Sequence, residues 1–493
     1  MSSAELIQEI RYSDGRERVS QLCVAQEAAL VQHWVVNGAP SHLLPNSIVR
    51  LGLSLNGPLD VGRVKFAFTE MVRRHEILRT AVGVTREIDD QERCRIRDAA
   101  RNEGRYFGYG LYGLKVAERA PVSIVVRDVG VRGRWTGSDD DIVAECSEEV
   151  SRPFVQDELP FLRVILLRIH RTQHLLIVVL PHHVADFWST RQIVRHELEA
   201  FYDSSFCDGR ETLEPLPYQF GQFAAWRNEH FSGERLAALG EFWRRQWQRY
   251  GDATVRPAAL VRAKPASTPS LESTVITRAL GHQTAMTWKQ FLVERRVTKY
   301  VTGLAAMYLL LAARTGAERV SMWTTTAGRG VPGAELLIGS FGNRRLIGVD
   351  VMRDASVASF LQSVQEACVE ADVNDVPMAI RYTVVPAEVA MQTRGPQVVF
   401  DCYDARQGQV AQTLADGLSV DSAVLPQLVQ RVVGVEFEVL DFGSNVEARL
   451  RFGAHVCDAA EATQLLNHYC RLLIGLLELD ATSVQALMDR ADG

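Results

Sequence analysis

No two of the eight cysteines stand at C-x-x-C spacing; they lie scattered at positions 23, 94, 146, 207, 368, 402, 457 and 470 of 493 residues. In a chain this long that pattern argues against a disulfide framework or a cysteine-built metal site, and it fits reduced thiols in a cytosol. A basic surplus is missing too. The 54 Lys and Arg against 60 Asp and Glu give a formal charge of −6, which argues against a nucleic-acid-binding protein. The longest apolar run near a helix, residues 304–313, is too short to span a bilayer. The opening MSSAELIQEIR has no basic region followed by an apolar core, so it does not read as a signal peptide. The turn TTTAGRG at 324–330 follows a strand pattern but lacks the glycine and lysine spacing of a phosphate cradle. We expect a cytoplasmic, monomeric protein with no nucleic-acid or membrane partner.

What is present is an ordinary globular composition, 47% apolar and 23% charged, in a length that suggests two to four domain-sized units. The most informative stretch is residues 175–189, LLIVVLPHHVADFWS. Its unbroken run of β-branched residues and leucines predicts a strand buried on both faces. Pro181, His182 and His183 follow where that strand should end, and Asp186 stands four residues after His182. An imidazole is the side chain best suited to moving a proton near neutral pH. A nearby carboxylate can orient it, or can turn away and brace the loop. The same residues also allow a plain loop without chemistry. A zinc site ranks lower, since no third ligand lies at suitable spacing.

The rest of the chain frames this stretch. Helical spacing over 19–36 is followed by a strand over 46–57 that stops at Asn56-Gly57-Pro58. Asp60 is the expected N-cap of a helix carrying Val64, Phe68, Met71 and Val72. That helix ends in RRHEILRTAVG, where Arg74 and Arg79 flank Ile77 and Leu78. The plain reading of the two arginines is a solvated helix end, favourable against the helix dipole. Residues 84–118, rich first in charge and then in Gly and Tyr, read as a solvated insertion with a surface helix. Strands over 120–130 and 161–170, with a helix over 141–150 between them, lead into the central strand. A second half opens with a strand at 274–280, helices at 286–296 and 301–313, and a strand at 320–325. Paired antiparallel strands near 433–452 and an amphipathic helix over 459–477 close the chain.

Six ordered stretches together resemble the condensation domains of nonribosomal peptide synthetases. Val24-Ala25-Gln26 is similar to that family's opening S-x-A-Q, and Arg74-His75-Glu76-Ile77-Leu78-Arg79-Thr80 matches RHExLRT without a gap. Residues 181–189 resemble the HHxxxDG-W-S core, and YQFGQFAAW at 218–226 is similar to YxDFAxW. Residues 338–343, IGSFGN, look like IGxFVNT, and Asn374-Asp375-Val376-Pro377 is similar to HQDxPF. Aligning Asp186 without a gap puts the family's catalytic second histidine at His182, with Pro181 in place of the first; a one-residue deletion would put it at His183. The H-x-x-x-D spacing favours His182. Phe187 stands where glycine is usual, and Asn343-Arg344, with Arg345 next, replaces the family's N-T, adding positive charge there. The aspartate needed by cyclising relatives is absent.

The resemblance implies an α/β (α+β) protein of two chloramphenicol-acetyltransferase-like lobes in a V, with the active site in the tunnel between them. The expected division is an N-terminal lobe over 1–203, a link over 204–217 and a C-terminal lobe over 218–493. His182, with His183 as the alternative, would act on the attacking amine or hydroxyl, and Asp186 would brace the loop by pairing with Arg74. Arg79 joins Arg74 as structural support. Phe187, Trp188, Ser189, Gly339, Phe341, Asn343 and Arg344 are the expected channel residues. No metal or bound organic cofactor is implied; substrates would arrive on the phosphopantetheine arms of carrier proteins acting in trans, with a small-molecule acceptor either free or tethered. Arg227, Arg244 and Arg245 are candidates for a carrier-docking patch. No carrier serine motif and no adenylate loop are read. The initiator Met and the tail lead us to expect a free-standing enzyme over a domain cut from a longer chain. The alternatives are an acyl-CoA-dependent acyltransferase of the same fold and an inactive carrier-docking scaffold. An epimerisation domain is disfavoured, since no glutamate stands near Gly328-Arg329.

Overall fold

The computed structural model describes residues 5–6, 22–39, 44, 47–102, 108–109, 111–129, 139–204, 213–261, 273–377, 397–404, 412–414, 416–423, 425, 434–453, 456–478 and 483–492. Its strands are β1 (Ile48–Asn56), β2 (Thr80–Val84), β3 (Tyr112–Val116), β4 (Ile124–Asp128), β5 (Arg163–His170), β6 (Gln173–Pro181) and β7 (Ser273–Ala279). There follow β8 (Arg319–Thr326), β9 (Asn343–Asp350), β10 (Val398–Asp404), β11 (Gln412–Thr413), β12 (Ser419–Ala423), β13 (Val435–Asp441) and β14 (Val446–Gly453). Two compact units result. One comprises Met1–Leu236, Ala327–Gly342 and Gln407–Leu428, and the other Ala237–Thr326, Asn343–Arg406 and Val429–Gly493.

This partition differs from the linear boundaries read from the sequence. The stretch 218–236 and two later segments, Ala327–Gly342 and Gln407–Leu428, join the first unit. The reason is visible in the pairing: β12 binds β1 antiparallel from Gly52↔Ala423 to Asn56↔Ser419. Most of the expected link, residues 205–212, lies outside the described residues.

The first unit's sheet runs β11-β12-β1-β6-β5-β4. β6 lies between β1 and β5, antiparallel to both, and every residue from His174 to Pro181 is buried. An antiparallel strand usually keeps one face wet, with alternating polarity. Here both faces are covered, which is why the apolar run shows no alternation. Asp60 caps the helix Val61–Arg74 by accepting from the backbone N–H of Gly62 at 2.7 Å and of Arg63 at 3.3 Å. That helix buries Val64, Ala67, Phe68, Met71 and Val72. The 84–118 region is more ordered than a solvated insertion. Its strand β3 pairs with β2, and the helix Asp90–Asn102 packs Ile96 with Val31, Val35 and Leu111 in a small apolar cluster of its own.

The second unit's sheet runs β7-β14-β13-β10-β8-β9. β10 is parallel to both β13 and β8, and the remaining pairs are antiparallel. The helix Lys299–Thr315 is buried from Val301 through Ala312, with Thr298 as its N-cap. Phe400 of β10 and Phe437 of β13 meet Tyr469 of the helix Ala459–Glu478, with ring centroids 6.4 and 5.5 Å apart. The helix Val357–Val373 was not read from the sequence. Among the described residues no helix is long and apolar enough to cross a membrane, and no group of His, Cys, Asp and Glu could hold a metal ion.

Candidate active site at the end of the central strand

β6 ends at Pro181, whose register partner is Ile48 of β1, and the chain turns at once. The N–H of His182 donates to the Ser47 carbonyl at 2.7 Å, and that of Val184 to the Pro181 carbonyl at 3.0 Å. This turn sends two adjacent imidazoles into opposite environments. His182 is exposed. His183 is buried, its ring edge-on to Phe161 at 5.3 Å, and neither ring nitrogen has a hydrogen-bond partner among the described residues. Burial, and secondarily the neighbouring His182, push the His183 pKa down to about 3, so that ring stays neutral across the physiological range.

Asp186 is buried and supplied with donors on both oxygens. Oδ1 accepts from the Ser189 N–H, the Ser189 hydroxyl and Arg329 Nη2, all at 2.8 Å. Oδ2 accepts from Arg329 Nη2 and from the Phe341 N–H, both at 3.1 Å. Neither imidazole is among its partners. Of the two roles the sequence left open for this carboxylate, the geometry fits the brace: an ionised carboxylate offers about four acceptor positions, and the loop and Arg329 occupy them.

The expected partnership of Asp186 with Arg74 is not what forms. Arg74, at the end of the helix Val61–Arg74, donates Nε to Glu197 at 2.8 Å. The same carboxylate holds His75 Nε2 at 2.9 Å, and His75 Nδ1 accepts the Ile338 N–H at 3.3 Å. The cation at Asp186 is instead Arg329. It also donates to the Leu337 carbonyl at 2.8 Å and lies 4.1 Å over the Phe341 ring. Burial lowers the Arg329 pKa and Asp186 opposes that; a guanidinium remains charged under either influence. No role was expected of Arg329, because its signal is a pairing across 143 residues. Arg79 donates to the Ala117 carbonyl at 2.6 Å, bridging toward the end of β3, so neither arginine is a solvated helix end.

Of the expected channel residues, Ser189 is fully buried. Its hydroxyl has one proton to share between Asp186 and the Gly339 carbonyl at 3.0 Å, and it accepts the Gly339 N–H at 3.1 Å. Gly339 and Phe341 are enclosed in packing and do not stand on an open wall. A Cβ on Gly339 would lie 2.2 Å from the Phe220 ring, and Phe341 packs against Phe220 and Phe223 at centroid distances of 5.1 and 4.7 Å. A Cβ on Gly328, at φ +65°, would meet the Phe341 carbonyl at 2.1 Å, so only glycine fits the turn beside Arg329. Trp188 donates Nε1 to the Glu335 carbonyl at 3.1 Å. Phe187 remains partly exposed, with the Arg191 guanidinium 4.5 Å from its ring centroid.

Asn343 and Arg344 belong to the second unit. Asn343 donates to Asp375 at 2.8 Å and to the Val376 carbonyl at 2.9 Å, tying two of the motif stretches together. The positive charge expected here is neutralised: Arg344 lies 3.9 Å from Glu436, and Arg345 pairs with Asp372. Two of the three candidate docking arginines are also engaged. Arg227 is buried beside the Phe223 ring, and Arg244 pairs with Glu241.

A protein-family model described as "Condensation domain" matches residues 114–483. The chain is 25% identical to bacitracin synthase 1 of Bacillus licheniformis over 339 residues, covering 69% of this chain and 6% of that protein. It thus spans a small fraction of the length of this curated relative. Among solved structures it is similar to the condensation domain of the monacolin K polyketide synthase MokA, with a TM-score of 0.74 at 17% identity, covering 94% of this chain and 99% of that one. The X-domain from teicoplanin biosynthesis is similar with a TM-score of 0.71 at 21% identity, covering 95% and 97% of the two chains. At these identities the structural likeness shows the fold, that of the α+β condensation domains.

Proposed function

This chain belongs to the condensation-domain family, and from that premise we propose that it is a free-standing condensation enzyme. It would transfer an acyl group from a thioester on a carrier protein in trans to an amine or hydroxyl acceptor. The observation that carries this reading is the split at the end of β6: His182 exposed on a turn whose neighbours are pinned, and Asp186 committed to the brace.

In the step we propose, the acceptor nitrogen or oxygen attacks the thioester carbonyl. A C–N or C–O bond forms, the C–S bond breaks, and the acceptor's proton passes by way of His182 Nε2 or Nδ1 to the departing thiolate. His182 orients the acceptor and holds that proton for the duration of the step; general acid–base help of this kind is worth roughly 10²–10⁴-fold. No redox partner is required. His183, neutral and enclosed, fills space behind the turn. Phe187 and Arg191 would shape the acceptor's approach. No carrier serine stretch is read in the 493 residues, so the donor would be brought by a carrier outside them. Docking of a tethered donor raises its effective concentration, so a weak contact suffices.

The test compares one acyl group presented on a carrier protein, on free pantetheine and on coenzyme A, with amine and hydroxyl acceptors. Use of the carrier-bound donor at least tenfold more efficiently supports the reading. Preference for coenzyme A would make the protein an acyl-CoA-dependent acyltransferase. No transfer from any donor, with carrier binding retained, would make it a docking scaffold.

A further inference from the structure

We propose that Gln26 is a positioning residue for His182, acting through the backbone of the reactive turn; this rests on the assignment of His182 above. Gln26 is buried, at 2% exposure. Its side-chain Nε2 donates to the backbone carbonyl of His183 at 2.8 Å, across 157 residues of sequence. Its Oε1 accepts the N–H of Cys23 at 3.0 Å, which fixes the amide's orientation and leaves the NH₂ aimed at the turn. On the other side of the same dipeptide, the His182 N–H is held by the Ser47 carbonyl at 2.7 Å. The His182-His183 dipeptide is therefore held at both ends, through the peptide units that flank it, by two segments distant from it in sequence.

The clamp matters because the His182 side chain makes no hydrogen bond of its own among the described residues. Asp186, the group that could have oriented it, is occupied by Ser189, Arg329 and Phe341. Among the described residues, the hydrogen bonds that hold His182 are those of the backbone on either side of it. A misplacement of about 1 Å at a reacting group can cost on the order of 10²-fold in rate. The donor that fixes the turn thereby acts on turnover while touching no substrate. The buried His183 ring, packed edge-on against Phe161, belongs to the same dipeptide.

Gln26 serves Cys23 as well, so the variants must separate the two bonds. Gln26→Glu keeps an acceptor for the Cys23 N–H and replaces the donor by an oxygen facing the His183 carbonyl. Gln26→Met removes the donor without adding charge. Each is measured for kcat and KM in the carrier-bound transfer assay, for thermal unfolding, and for amide hydrogen exchange of the peptide covering residues 181–186. The proposal expects kcat to fall at least tenfold in every variant that folds, with KM within twofold, and exchange over 181–186 to quicken at least fivefold. Exchange within the helix Val61–Arg74 should stay unchanged. Wild-type kcat in either variant overturns the positioning role. Unchanged exchange in both overturns the clamp itself. If His182→Ala turns over like wild type, the assignment of His182 fails instead, and the positioning role falls with it.

Discussion

Two acid sites, a single carboxylate in one unit and a group of three in the other, are supplied with cations and donors very differently. In the first unit Asp186 has a donor set complete on both oxygens, including a guanidinium that is itself 4% exposed. In the second, Asp401, Glu436 and Glu438 share a few arginines across β10, β13 and β14. Arg451 lies 3.7 Å from Glu436 and 3.2 Å from Glu438. Burial pushes the pKa of all three upward; Asp401 raises Glu436 and Glu438 further, and Glu436 raises Glu438. A lone acid with dedicated donors works as a fixed brace. Acids crowded on one sheet face with shared cations form a group whose protonation responds to pH.

The sharpest way to break this comparison is to remove the dedicated cation. Arg329→Met should leave Asp186 buried without its charge partner and cost about 3–5 kcal/mol of stability, read by denaturant unfolding. Arg74→Ala should cost less, about 1–2 kcal/mol, because Glu197 keeps its bond to His75. The two pairs can then be separated by double-variant cycles. Arg329→Met with Asp186→Asn should be strongly non-additive, whereas Arg74→Ala with Asp186→Asn should add to within about 0.5 kcal/mol. Strong coupling in the second cycle would restore the pairing that the sequence suggested.

Much of the site was legible because it is local. The unalternating run of β6, the Asp60 cap and the His182-x-x-x-Asp186 spacing are all carried by neighbouring residues. The helix Val61–Arg74 announced its buried face through Val64, Phe68, Met71 and Val72. What was illegible is long-range. Arg329 reaches Asp186 from a turn read in the sequence only for what it lacks, a phosphate motif and a glutamate. Arg74 was the nearest plausible cation by motif, and Glu197, inside an unremarkable helix, claims it. The compact units differ from the expected linear division for the same reason: no local pattern marks β12 as a partner of β1. The opposite fates of His182 and His183 were also beyond spacing arguments, since adjacent residues on a turn can face either way.

The shared-cation cluster gives a smaller, pH-dependent effect. An acid whose folded pKa is raised binds more protons folded than unfolded, so its contribution is full below the unfolded value near 4 and is lost as pH rises through the folded value. Glu438→Gln should therefore flatten the decline in stability above about pH 4 relative to wild type, measured by thermal unfolding across pH. A steeper decline in the variant would show that Arg451 outweighs burial at this position. Smallest of all, Phe187→Gly should change stability by less than about 1 kcal/mol, since the ring is partly exposed and its tie to Arg191 is a surface cation–π contact. Its effect should fall on acceptor preference, seen as a changed ratio of kcat/KM between small and bulky acceptors.

The central claim is that the two adjacent histidines have separate work, one chemical and one structural. Transfer from a carrier-bound donor by His182→Ala and by His183→Phe, each shown to be folded by thermal unfolding, tests it most directly. Among the described residues neither His183 ring nitrogen has a hydrogen-bond partner, so an apolar ring should serve in its place. The account predicts a loss of at least 10²-fold in kcat for His182→Ala and turnover within tenfold of wild type for His183→Phe. A dead His183→Phe beside an active His182→Ala would contradict it.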